Sequence, residues 1–163
     1  MKKYKVVIID DEPWTRESIK QLANLKRLGL EIAGEASDGE YGLELIRQTM
    51  PDIILTDVNM PHLNGIELMN ILRKEKNDAL VIFISGYDNF EYIRGALKVD
   101  AVDYLLKPVK QSELNHQLEQ CVYHLNNRET YGIEVTGEFL NEKWAGRFYE
   151  MRDLLKSSLN SNK

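Results

Sequence analysis

The sequence predicts an α/β fold, an open and doubly wound parallel sheet with helices on both faces. Three observations carry this. Short apolar runs recur without polar alternation, as in strands buried on both faces: Val6-Val7-Ile8-Ile9, Ile53-Ile54-Leu55 and Leu80-Val81-Ile82-Phe83-Ile84. Helix-length segments between the runs are long enough for parallel crossovers. Finally, the runs end in polar residues, namely Asp10-Asp11, Asp57, Ser85 and, after Tyr104-Leu105-Leu106, Lys107. Parallel strands bring their C-terminal ends to one edge, where ligands bind at the switch in strand order. Those polar residues therefore converge.

Residues 5–10 form the first strand. Pro13 suits a first helical turn, where its missing N–H costs nothing, and the helix runs to about Lys26. Residues 30–36 form a second, weaker strand. Ser37-x-x-Glu40 is a capping-box pattern opening a helix to about Met50. Residues 52–57 are the third strand. Asn64-x-x-Glu67 repeats the cap pattern and opens a helix to about Lys76. Residues 79–85 are the fourth and most apolar strand. Asp88-x-x-Glu91 opens a helix to Val99, with Gly95 inside it at a cost of about 1 kcal/mol relative to alanine. Residues 102–106 are the fifth strand. The last core helix begins near Gln111 or Ser112 and ends at about Asn127.

After Asn127 the character changes. Asn126-Asn127-Arg128-Glu129-Thr130-Tyr131-Gly132 reads as an exit from the domain. Leu140, Trp144, Phe148, Met151, Leu155 and Leu159 recur at three- and four-residue steps, giving a helix over 138–159 one apolar face. The chain therefore divides into a core domain, 1–127, and a linker with an amphipathic C-terminal helix, 128–163. That helix either docks on its own domain or pairs with another chain.

Composition narrows the function. Of 163 residues, 43% are hydrophobic and 29% charged, an ordinary soluble mixture. A net charge of −5 argues against nucleic-acid or anionic-membrane binding by this segment. The single cysteine, Cys121, implies neither a disulfide framework nor a thiolate metal site, which fits a reducing cytoplasm. The apolar run after Lys5 is too short for a signal peptide, and no stretch approaches a membrane span.

The polar edge has a defined chemistry. Two carboxylates about 4 Å apart repel by roughly 4 kcal/mol at an effective dielectric near 20. They become tolerable around a hard cation, and oxygen ligands suit Mg²⁺. The metal ligands expected are Asp10, Asp11, Asp57 and the backbone carbonyl of Asn59. With the charge neutralised, a carboxylate can attack phosphorus and form an aspartyl phosphate. Lys107 supplies a cation and Ser85 a hydroxyl for the phosphoryl oxygens, and Gly86 leaves room for the donor.

These motifs, in this order, resemble the receiver domain of bacterial two-component response regulators over about residues 3–127. Asp10-Asp11 matches that family's acidic metal-binding pair. Asp57, in Asp57-Val58-Asn59-Met60-Pro61-His62-Leu63-Asn64-Gly65, matches its phosphoacceptor loop. Ser85 matches the switch hydroxyl, Tyr104 the switch aromatic, and Lys107-Pro108 the phosphate-pairing lysine with its cis proline. The resemblance implies a flavodoxin-like (βα)5 sheet in strand order 2-1-3-4-5, here with an extra C-terminal helix. It implies that a sensor histidine kinase phosphorylates Asp57 with Mg²⁺ bound, and that Ser85, Tyr104 and Lys107 relay the change to a partner surface. The chain would be no enzyme beyond its own phosphorylation and dephosphorylation. The family's usual homodimer face, formed by the fourth helix (88–99), the fifth strand and the fifth helix, would have Phe90, Tyr92 and Tyr104 on or near it, the alternative being that these aromatics are mostly core. The C-terminal helix is a second candidate for pairing. Segments 85–92 and 101–109 are similar to receivers that precede an AraC-type helix-turn-helix domain. Residues 128–163 are too few for such a domain, so the chain reads as a receiver fragment of a transcriptional regulator, with a stand-alone receiver as the alternative. DNA would be reached only through an output domain absent from this chain.

A phosphatase of the haloacid-dehalogenase type also uses a strand-end aspartate. It needs a second aspartate two residues on as acid/base, where this chain has Asn59. A flavin module shares the fold, but the acidic edge would repel FMN. His62, His116 and His124 lack metal-ligand spacing and are expected in a loop and on helix surfaces. Cys121 is expected to be a small packed hydrophobe.

Overall fold

The computed structural model describes residues 3–86 and 103–131. Five strands form one parallel sheet: β1 Tyr4–Ile9, β2 Leu30–Ala36, β3 Ile53–Asp57, β4 Leu80–Ser85 and β5 Asp103–Leu106. Their order is β2-β1-β3-β4-β5, as expected. The helices are α1 Pro13–Leu22, α2 Leu25–Leu28, α3 Gly39–Thr49, α4 Gly65–Lys74 and α5 Gln111–Tyr131. The helices expected at 88–99 and 138–159, with Phe90 and Tyr92, lie outside the described residues. Among those described, no helix is long and apolar enough to cross a membrane.

The three central strands are buried along nearly their whole length, which is why their sequences do not alternate. Alternate residues feed two cores. Val7, Ile9, Ile54, Val81 and Phe83 pack with Ile46 of α3 and Leu68, Met69 and Leu72 of α4. Val6, Ile8, Ile53, Leu55, Ile82 and Ile84 pack with Ile19 of α1 and Leu114, Leu118, Cys121 and Leu125 of α5. Cys121 is fully buried, as a small hydrophobe should be. β2, at the sheet edge, is only partly covered, which explains its mixed sequence.

Four details differ from the sequence reading. The first helix does not run to Lys26. It stops at Leu22, where Ala23 is extended, and the chain restarts as the four-residue α2. The break is held from a distant element: Asn115 of α5 donates to the Leu22 carbonyl at 2.9 Å and accepts from the Asn24 N–H at 2.8 Å. The cap of α3 is Asp38, not Ser37, and its carboxylate accepts from the Tyr41 N–H at 2.8 Å. Gly39, beginning that helix, is pressed against the neighbouring loop, since a Cβ there would stand 2.1 Å from the Leu63 carbonyl oxygen. His124 is buried rather than on the surface. It lies three residues from Cys121 and beside Leu125, within the stripe that α5 turns to the sheet, and its ring meets Tyr123 edge-on at 5.9 Å. Finally, α5 continues past Asn127 to Tyr131, where an exit was expected. Arg128 anchors it by donating to the Asp78 carbonyl at 3.1 Å.

The cap of α4 forms as read. Asn64 accepts from the Glu67 N–H at 2.8 Å and Glu67 accepts from the Asn64 N–H at 3.5 Å. The cap fixes Gly65, whose N–H donates to the Val58 carbonyl at 2.8 Å. A Cβ on Gly65 would sit 2.4 Å from the Asp57 carbonyl oxygen and 3.1 Å from Phe83. Gly65→Ala should therefore destabilise the fold by about 2–3 kcal/mol through overpacking against backbone. Urea unfolding measures this, and an unchanged midpoint would show that the loop yields freely.

Candidate functional site

β1, β3, β4 and β5 deliver their polar ends to one edge. Asp10 follows β1 directly, Asp57 ends β3, Ser85 ends β4 and Lys107 follows β5. The register aligns these ends, with Ile9 opposite Thr56, Asp57 opposite Ile84 and Ser85 opposite Leu106. The Lys107 N–H donates to the Ser85 carbonyl at 2.8 Å, and the Lys107-Pro108 peptide is cis.

The side chains meet around one ammonium. Lys107 Nζ lies 3.0 Å from Asp57 Oδ2, 3.0 Å from Asp10 Oδ2 and 3.2 Å from Glu12 Oε1. Asp57 Oδ1 accepts from the Asn59 N–H at 3.2 Å. Asp10 Oδ1 accepts from the Glu12 N–H at 2.8 Å, which folds the acidic turn over the strand end. Arg16 clamps that turn from below, donating to the Asp10 carbonyl at 2.6 Å and to Glu35 at 3.1 Å. Asp10 and Asp57 are almost completely buried, while Asp11 is exposed.

Burial next to like charge is costly and shows in the acidities. Burial, then the charge of Asp10, pushes the Asp57 carboxyl up to about 6, against the opposing pull of Lys107 and the Asn59 N–H. Burial also raises Asp10, against its hydrogen bond from Glu12 and the nearby Lys107. Burial alone would lower Lys107, but hydrogen bonds and charges from Asp10 and Asp57 outweigh it and hold the ammonium above the usual lysine range.

One lysine does not neutralise this many acids. Ligand oxygens of Asp10, Asp11, Glu12 and Asp57 all lie within 4.8 Å of one another. Among the described residues, the buried Asp10 Oδ2 is met by the ion pair to Lys107 and by no hydrogen bond besides. An all-oxygen donor set with spare negative charge fits a hard divalent cation. Such an ion must displace the Asp57 proton, so affinity depends on pH. With Asp57 near 6, Mg²⁺ should bind about tenfold more weakly at pH 5 than at pH 7.5, because roughly one-tenth of Asp57 is ionised a unit below its pKa. Titration calorimetry at the two pH values measures it, and equal affinities would refute the acidity of Asp57. Without metal, the same proton makes stability fall as pH rises from about 4 to about 6, since the unfolded aspartate releases it first.

The sequence-predicted residues thus fall into two groups. Asp10, Asp11, Asp57 and Lys107 are brought together. Asn59 is exposed and offers its N–H to Asp57. Ser85 is fully buried, but its hydroxyl donates to the Gly86 carbonyl at 3.2 Å. Tyr104, for which a partner face and the core were both open, is only 6% exposed and packs in the core with Phe83. Its neighbours in the register explain this, because it pairs directly with Phe83 and shares that face of the sheet. Glu12 was not singled out, although its place directly after two acids was a signal.

Residues 6–119 match the response regulator receiver domain model. An uncharacterized response regulatory protein of Staphylococcus epidermidis is 39% identical over 125 residues, covering 77% of this chain and 49% of its own length. The transcriptional regulatory protein HptR of Staphylococcus aureus is 37% identical over 127 residues, covering 78% of this chain and 50% of its own. The chain thus spans about half the length of the curated relatives it matches. Among solved structures, the REC domain of AraT, a response regulator from Geobacillus stearothermophilus, superposes with a TM-score of 0.75 at 33% identity, covering 78% of this chain and 98% of that one. A two component transcriptional regulator AraC from Clostridium phytofermentans gives 0.72 at 34% identity, covering 78% and 99%. Matched along most of its length by the receiver model and by its relatives, the chain belongs to the response regulator receiver family.

Proposed function

We propose that Asp57 is the phosphoacceptor of this receiver, and that a sensor histidine kinase is its donor. The observation carrying this is the buried Asp57 carboxylate beside Lys107 Nζ at 3.0 Å, within a cluster of oxygen ligands. An Asp57 oxygen attacks the phosphorus of a phosphohistidine. The new O–P bond forms as the P–N bond breaks, and the imidazole leaves with the electron pair and takes up a proton. Asp10, Asp11, Asp57 and the Asn59 carbonyl would hold Mg²⁺, which supplies charge neutralisation for the incoming phosphoryl oxygens.

This chain's own groups do the rest. Lys107, already at Asp57 Oδ2, reaches the phosphoryl oxygens, and Ser85 turns its hydroxyl from Gly86 to the same group. The phosphoryl brings about −1.5 to −2 charge and three acceptor oxygens, which biases a two-state element. Tyr104 already occupies the core, so the phosphoryl stabilises an inward ring rather than creating it. HptR's name supports reading the chain as the regulatory part of a transcriptional regulator. Such a part would work in the cytoplasm, with the receiver over about 1–127, closed by α5 to Tyr131, and the residues after it as a link to an output domain. A stand-alone receiver would act through protein contacts alone. Intact-mass spectrometry after Mg²⁺ and acetyl phosphate tests the acceptor. One phosphoryl group on the wild type is expected, and an adduct on any residue other than Asp57 would overturn the assignment.

A further inference from the structure

Glu12 belongs to this oxygen cluster, yet the phosphoryl transfer proposed above gives it no role. Its Oε1 stands 3.2 Å from Lys107 Nζ, almost as close as Asp10 and Asp57. The hydrogen bond from its own N–H to Asp10 Oδ1 keeps the residue beside the lysine. Its side chain is 38% exposed, whereas those of Asp10 and Asp57 are 1% and 6% exposed.

Three carboxylates therefore share one ammonium, and phosphorylation treats them differently. Asp10, Asp11 and Asp57 would have their charges met by a bound divalent cation. The phosphoryl group then offers Lys107 new acceptor oxygens. Glu12, on the open side, stands 3.2 Å from Lys107 Nζ and competes for the lysine. Once Lys107 moves to the phosphoryl group, Glu12 is left near a second large negative charge with its counter-ion gone. Both effects favour the unmodified state, and a group shifts an equilibrium only by such differential interaction.

We propose that Glu12 is a positioning residue that holds Lys107 back from the phosphoryl group, and so sets how readily Asp57 stays phosphorylated. This rests on reading Asp57 as the acceptor. Glu12 also lies within the oxygen cluster, so the Mg²⁺ affinity of the variant below separates this role from that of a metal ligand.

The test is the affinity of the full chain for beryllofluoride, a stable phosphoryl mimic, in saturating Mg²⁺. Glu12→Gln should bind it about two- to fivefold more tightly than wild type, the size of one partly exposed ion pair. The gap should close at high ionic strength, where exposed charges are screened. Glu12→Asp, which keeps the charge within reach of a flexible lysine, should return the affinity to that of wild type. A purely structural ion pair would change stability and leave these affinities alone. Equal affinity of wild type and Glu12→Gln would overturn the proposal while leaving Asp57 as acceptor. So would weaker binding by Glu12→Gln together with weaker Mg²⁺ affinity, which would make Glu12 a metal ligand. Binding by neither wild type nor Glu12→Gln would instead overturn the phosphoacceptor reading.

Discussion

Asp57→Asn should gain no mass from acetyl phosphate and Mg²⁺ while wild type gains one phosphoryl group. The loss is expected to be complete, because an amide lacks the nucleophilic oxygen that the transfer requires. Its effect on stability should run the other way. In the folded protein the Asp57 carboxyl is pushed up from 3.8 to about 6, chiefly by burial and by Asp10. Each unit of such a shift corresponds to about 1.4 kcal/mol. In EDTA at pH 7.5, the neutral amide should therefore stabilise the fold by up to about 3 kcal/mol, less whatever is lost at Lys107. Denaturant unfolding measures this alongside the mass. A site that loses its activity while the fold gains stability is one whose charge is held for chemistry rather than for packing. A folded Asp57→Asn protein that still carries the phosphoryl group would exclude Asp57 as acceptor.

Lys107→Ala should have the second largest effect, with the opposite sign. The ammonium is the partner of both buried carboxylates, at 3.0 Å from each. Removing it leaves uncompensated buried charge, which costs about 3 kcal/mol. The penalty should shrink at pH 5, where Asp57 is largely protonated, and in saturating Mg²⁺, which replaces the lost positive charge. Unfolding curves at pH 5 and 7.5, with EDTA or Mg²⁺, give the comparison. A penalty indifferent to both conditions would mean that the lysine stabilises through its stem packing and not its charge. Some phosphoryl uptake should remain, since the nucleophile is intact. The conformational response should be lost, because no cation links the phosphoryl group to β5. NMR shifts on phosphorylation would show it, and an unaltered response would remove Lys107 from the mechanism.

The sheet and the position of the site could be read directly from the chain. Strands buried on both faces must be apolar throughout, so Val6–Ile9 and Leu80–Ile84 declare themselves locally. A polar residue directly after such a strand has only the sheet edge to occupy, which located Asp10, Asp57, Ser85 and Lys107. The Asn64–Glu67 cap is likewise a matter of residues three apart.

What escaped the sequence depends on groups far apart in it. Nothing between Pro13 and Lys26 announces a break after Leu22. Asn115 makes it by bonding to Leu22 and Asn24 from more than ninety positions away. Ser37 and Asp38 are both good caps; in the fold Asp38 takes the role, accepting from the Tyr41 N–H, and Gly39 next to it lies against the Leu63 carbonyl. The apolar face of α5 includes His124 because of how that helix lies on the sheet, which periodicity alone left open. At the site, residue types were evident but their partners were not. Whether Lys107 meets two acids or three, whether Ser85 bonds to Gly86, and whether Tyr104 lies inward are matters of a few ångströms between separate strands. Local preferences and burial patterns act along the chain and can be read there, whereas distances between side chains on neighbouring strands exist only once the sheet has assembled.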